Sequence, residues 1–163
     1  MSPPLIACVP DLTTTLGIAL QLMSVSDVHR SWTVADCIRL LPPPIALGQF
    51  RVYLAGGRPV GFASWAFLGP VAREGLLPRT RKLQPEDRAS GPEAWVMDFI
   101  APYGHTWAMV DDLQRTALAD HIVHATRRKP DGTIRKIGRW TGINVRRKSD
   151  AENYQSHGRR AGG

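Results

Sequence analysis

Between residues 50 and 66 the chain carries two apolar runs, Phe50-Arg-Val-Tyr-Leu-Ala55 and Pro59-Val-Gly-Phe-Ala-Ser-Trp-Ala66, parted by Gly56-Gly57-Arg58. Both runs suit a pleated strand, and the glycines supply the positive φ angles of a tight turn, so the pattern predicts a hairpin. A third run, Trp95-Val-Met-Asp-Phe-Ile-Ala-Pro-Tyr-Gly104, reads as a strand closed at a Pro/Gly corner, because Pro102 has no N–H to give to a ladder. Thr106 to Leu118 then reads as a helix. His121 to Arg127 and Thr133 to Trp140 read as a last antiparallel pair around the turn Lys129-Pro-Asp-Gly132.

Upstream, Thr13 to Ser24 reads as a helix with a broad apolar face formed by Leu16, Ile18, Ala19, Leu20, Leu22 and Met23. Thr33, with Asp36 three residues on, resembles a capping box for a second helix from Val34 to Leu41, which Pro42-Pro43-Pro44 stops. Residues 1–11 hold three prolines and are expected to be a flexible leader. Residues 68–92 are rich in Gly, Pro, Arg and Glu, predicting a long irregular connection with a helical turn near Pro85-Glu-Asp-Arg88. Residues 146–163 are expected to be a mobile basic tail. The folded unit is then one domain over 12–145, of the α/β (α+β) class, with a mixed, mostly antiparallel sheet flanked by helices.

Composition adds little to the fold but something to the partners. The chain has 21 Lys+Arg against 14 Asp+Glu, a net charge of +7, which favours polyanionic partners: nucleic acid, an anionic membrane or an acidic protein. Two cysteines, Cys8 and Cys37, form no disulfide framework and suit a reducing compartment. The apolar stretch Leu16 to Val25 is too short to span a bilayer, and no secretory signal precedes it. The expectation is an intracellular protein without stable membrane insertion.

Asp98 is the one acid inside a predicted core strand, a costly position unless it is paired. His29, three residues after Ser26, sits in the polar segment before Trp32, and histidine is the side chain best suited to proton transfer near neutrality. Each has an ordinary structural reading, and no Gly-x-Ser-x-Gly elbow surrounds Ser26 to support a nucleophilic triad. His105 follows the Gly104 corner and could line a pocket. His121 and His124 fall on opposite faces of a strand and make poor joint metal ligands, so no metal site is expected. Arg127, Arg128, Lys129, Arg135, Lys136 and Arg139 gather on the last hairpin. No zinc-finger, RNP or helix-turn-helix pattern accompanies them, which argues against nucleic acid.

Val28-His-Arg-Ser-Trp32, Gly61-Phe-Ala-Ser-Trp65 and Trp95-Val-Met-Asp-Phe-Ile-Ala-Pro-Tyr-Gly104 together resemble the RTX-toxin-activating lysine acyltransferases of the hemolysin C type. The resemblance covers roughly residues 16 to 145. It implies a cytoplasmic enzyme with a fold similar to the GCN5-related N-acetyltransferases. It also implies transfer of a fatty acyl group from acyl carrier protein to internal lysines of an RTX-type protoxin. By that likeness His29 and Asp98 take the catalytic positions and Ser26 a supporting one.

No bound cofactor is implied, acyl-acyl carrier protein being a substrate, and relatives are often homodimers. The six basic residues of the hairpin then become a docking surface for the acidic carrier protein. Ala101-Pro-Tyr-Gly-His105 lacks the glycine-rich pyrophosphate loop common in acetyltransferases that use coenzyme A, which favours a carrier-protein donor. Two other readings remain open on the sequence: an N-acyltransferase drawing on acyl-CoA, and a non-catalytic basic adaptor for RNA or an acidic protein.

Overall fold

Six strands form one sheet in chain order, β1 to β6, in a computed structural model that describes residues 2–76, 83–131 and 133–160. The strands are β1 (Leu5–Cys8), β2 (Phe50–Ala55), β3 (Arg58–Leu68), β4 (Glu93–Ile100), β5 (Ile122–Arg128) and β6 (Ile134–Thr141). Every neighbouring pair is antiparallel except β4 and β5, which run parallel because the helix α5 (Thr106–Arg115) crosses over between them. The expected mixed, mostly antiparallel sheet is therefore present. The β2–β3 turn is Gly56-Gly57 with φ of 58° and 75°, a conformation that side chains resist.

Helix α1 (Leu12–Ser24) is capped by Asp11, whose side chain accepts from the Thr14 N–H. Together with α2 (Val34–Leu40) and α3 (Pro42–Ala46) it covers one face of the sheet, burying Ala19, Leu22 and Leu41 against Phe50, Phe62 and Ile100. Thr33 and Asp36 form the expected capping box. On the opposite face α5 buries Met109 and Leu113 against Tyr53, Trp65 and Val96. Tyr53 also donates to Asp112 of α5 across 2.9 Å.

Three expectations need correction and one an addition. Within the supposed leader, Leu5–Cys8 is a strand paired with β2, its bracketing prolines being tolerated at a sheet edge. The proline run ends α2 as expected, and it also starts α3, because proline fits the first turn of a helix, where its missing N–H has no partner to lose. The 68–92 connection contains a helix, α4 (Pro70–Leu76), as well as the predicted 3₁₀ turn Pro85–Arg88; residues 77–82 of it lie outside the described ones. The supposed tail holds α6 (Ile143–Arg160), since Arg, Lys, Glu and Gln are good helix formers even where no apolar face is present. Residues 161–163, and Gly132 of the last turn, lie outside the described residues.

Candidate active site

His29 is carried by a run of tight turns after α1. Its own N–H and that of Arg30 both donate to the Ser26 carbonyl, and the Trp32 N–H donates to the His29 carbonyl. That winding turns the imidazole inward, where it is 8% exposed and rests against the Trp32 ring at 5.0 Å. The Ser26 hydroxyl lies 2.8 Å from Nδ1, and on the other side Nε2 lies 3.8 Å from Asp98 Oδ1. Ser26 and His29 are three residues apart in the chain, and the fold brings the distant Asp98 to them.

Asp98 reaches His29 through an irregularity in β4. Val96 packs with the α5-side core, whereas Trp95 and Met97 belong with the opposite face, as strand alternation requires. One more step of alternation would put Asp98 on the α5 side. Instead the β3–β4 register shifts between Ser64 and Trp65: Trp65 pairs with Val96 and Ser64 with Asp98, leaving Met97 as an extra residue. This bulge puts Asp98 on the His29 side, with Ile100 following it.

The carboxylate is buried with its partners. Ser64, fully buried, donates to Asp98 Oδ2 at 2.6 Å. Arg88, at the end of the 3₁₀ turn, is 5% exposed and donates to the Trp65 carbonyl at 3.2 Å, while Gln49 donates to the Arg88 carbonyl at 2.9 Å. Burial pushes the Asp98 carboxyl up, but the neighbouring His29, the Ser64 hydroxyl and the Arg88 charge outweigh it and hold the carboxyl below the usual range. Burial likewise lowers Arg88, partly offset by Asp98.

Both catalytic candidates face a cavity of about 1560 Å³, larger than the roughly 300–1,000 Å³ of ordinary small-molecule pockets. It opens because β4 and β5 pair only through Ala94–Val96 and Val123–Ala125 and then part. Leu40, Pro43, Leu76, Leu83 and Met97 give it an apolar wall, while Thr106 and Trp107 close the α5 end. Of the basic hairpin residues, Arg127, Arg128, Lys136 and Arg139 line it; Lys129 and Arg135 do not. Arg127 and Lys136 are direct cross-strand partners, both exposed, an arrangement that costs stability without an anion nearby.

His105, His121 and His124 do not line this cavity. His105 precedes α5, His121 lies tilted against Phe67, and His124 stacks on Trp95 on the opposite side of the sheet. Among the described residues no group of His, Cys, Asp or Glu could hold a metal ion. Ser64 and Arg88 were not singled out from sequence. The pairing of Ser64 needed the β3–β4 register, and the helical turn read at Pro85–Arg88 gave no sign that Arg88 would be buried near Asp98.

The profile of the RTX toxin acyltransferase family (HlyC) matches residues 10–141. An uncharacterised protein of Synechocystis is 35% identical over 119 residues, 72% of this chain and 81% of that protein. The lysine-acyltransferase RtxC of Vibrio cholerae is 36% identical over 101 residues, 61% of this chain and 66% of the relative. The RTX-I toxin-activating lysine-acyltransferase ApxIC of Actinobacillus pleuropneumoniae is 28% identical over 142 residues, 87% of this chain and 82% of the relative. With more than three quarters of its length inside that one profile, the chain belongs to the RTX toxin acyltransferase family.

Proposed function

We propose that this acyltransferase moves a fatty acyl group from the thioester of acyl carrier protein to the ε-amino group of internal lysines in an RTX-type protoxin, in the cytoplasm. The observation that carries the reading is a buried His29–Asp98 pair on the wall of a large, partly apolar cavity, within a family of acyltransferases.

Lysine is almost wholly ammonium at pH 7, with an ordinary pKa near 10.4, and only its free amine attacks a thioester. His29 is the general base. The Ser26 hydroxyl lies at Nδ1 and the Asp98 carboxylate beside Nε2, so both ring nitrogens have a partner once the ring gains a proton. As the amine nitrogen bonds to the acyl carbon, its proton passes to the His29 imidazole. Asp98 stabilises the imidazolium, the C–S bond breaks, and the carrier thiolate leaves and is protonated from the imidazolium, restoring the base. The apolar wall suits the acyl chain, and the Arg127, Arg128, Lys136 and Arg139 rim suits an acidic carrier.

Intact-mass analysis of a repeat-type toxin from the same genome, incubated with this protein and palmitoyl-acyl carrier protein, tests the proposal. An acyl-sized gain is expected, absent with His29→Ala and absent when palmitoyl-CoA replaces the carrier. A gain with palmitoyl-CoA alone would instead make acyl-CoA the donor. No gain with any chain length would overturn the reading.

A further inference from the structure

We propose that Ser64 is a positioning residue for acyl transfer, its buried hydroxyl fixing the Asp98 carboxylate so that Oδ1 faces His29. The inference rests on the reading of His29 and Asp98 as base and supporting acid.

A carboxylate turns through a broad, roughly two-fold torsion, and only its partners choose which oxygen points where. Here Ser64 takes Oδ2 at 2.6 Å, the short distance of a hydroxyl donating to a charged acceptor. The oxygen left over, Oδ1, is the one 3.8 Å from His29 Nε2. Neither Ser64 nor Asp98 is reached by much solvent, at 0% and 8% exposure, so no water shell can substitute for the missing donor.

The contact is tied to the bulge. Ser64 and Asp98 are paired residues at the point where the register shifts; had the Trp65–Val96 register continued unshifted, Ser64 would pair with Met97 and face the side opposite Asp98. The same irregularity that brings Asp98 to His29 thus supplies the group that orients it. Arg88 acts on Asp98 through its charge and does not fix the carboxylate's orientation: among the described residues its guanidinium bonds the Trp65 carbonyl and makes no hydrogen bond to Asp98.

The test compares Ser64→Ala with Thr15→Ala, another fully buried hydroxyl, which bonds the Pro10 carbonyl in α1 away from the cavity. Steady-state transfer uses palmitoyl-acyl carrier protein as donor and the repeat-type toxin of the same genome as acceptor, alongside thermal melts. Ser64→Ala is expected to lower kcat about tenfold or more, as loss of a hydrogen bond to a charged group does, with both KM values within about twofold. Thr15→Ala is expected to lower Tm while leaving kcat unchanged. A Ser64→Ala enzyme with unchanged kcat, or one whose kcat falls only as far as its folded fraction does, overturns the positioning role. Asp98→Asn is the third arm. If it keeps full activity, the reading of the site fails beneath the inference; if it is inactive while Ser64→Ala is normal, only the inference fails.

Discussion

At the scale of residues, the site is a chain of polar groups from Ser26 through His29 and Asp98 to Ser64, with Arg88 as the nearby fixed cation. On the proposed reading His29→Ala removes the base, and transfer should fall by about 10²–10⁴-fold while thermal melts change little. Asp98 also matters to stability. Its carboxyl titrates lower in the fold than in the unfolded chain, so its contribution is complete above the ordinary aspartate range and fades as pH falls through the depressed value. Urea midpoints should therefore show Asp98→Asn clearly destabilised at pH 7, with the gap to the native chain closing towards pH 2. An equal gap at both pH values would contradict that account.

How far the site could be read from sequence also turns on single residues. Asp98 was legible because an acid in an apolar run needs a reason, and His29 because its surroundings were polar. The bulge at Met97 was not legible, since no glycine marks it and simple alternation would have turned Asp98 away from His29. Ser64 was hidden for the same cause: a serine in a strand gains a role only once its cross-strand partner is known.

At the scale of elements, strong periodicity and turn chemistry located β2, β3, β4, α1, α2, α5 and the last hairpin. Short or purely polar elements escaped. The strand β1 has four residues, and α6 lacks an apolar face, so neither offers the pattern on which sequence reading depends. The join between β6 and α6 is held by backbone approach. Gly142 donates to the His121 carbonyl at 2.8 Å, and a Cβ there would run into the Leu118 and Ala119 carbonyls. Asn144 reinforces the join through the Ala119 carbonyl and the Asp120 side chain. Gly142→Ala should cost about 3 kcal/mol, at the high end for overpacking, because backbone cannot yield as a side chain can. Chemical denaturation would measure it, and a loss below about 0.5 kcal/mol would mean the corner is not rigid.

At the scale of the whole molecule, charge and cleft lie together. A net charge of +7 is partly concentrated at the cavity rim, where Arg127 and Lys136 face each other across the hairpin. Replacing both with Glu should lower kcat/KM for a carrier-bound acyl donor at low salt and flatten its salt dependence, with a small acyl thioester used at unchanged rate. Identical losses with both donors would place the two residues in the chemistry and not in docking.

The brief ladder between β4 and β5 has a consequence for dynamics. Among the described residues three pairs, Ala94↔Val123 to Val96↔Ala125, are all the strand pairing that joins β5 and β6 to the rest of the sheet. A unit fastened so narrowly can open on its own, at a free energy below that of global unfolding. Native-state amide exchange should accordingly divide the sheet in two. The β2–β3 amides should exchange only with global unfolding, and those of β5 and β6 earlier and together. The opening that admits a bulky substrate would then be the first step of the protein's own unfolding.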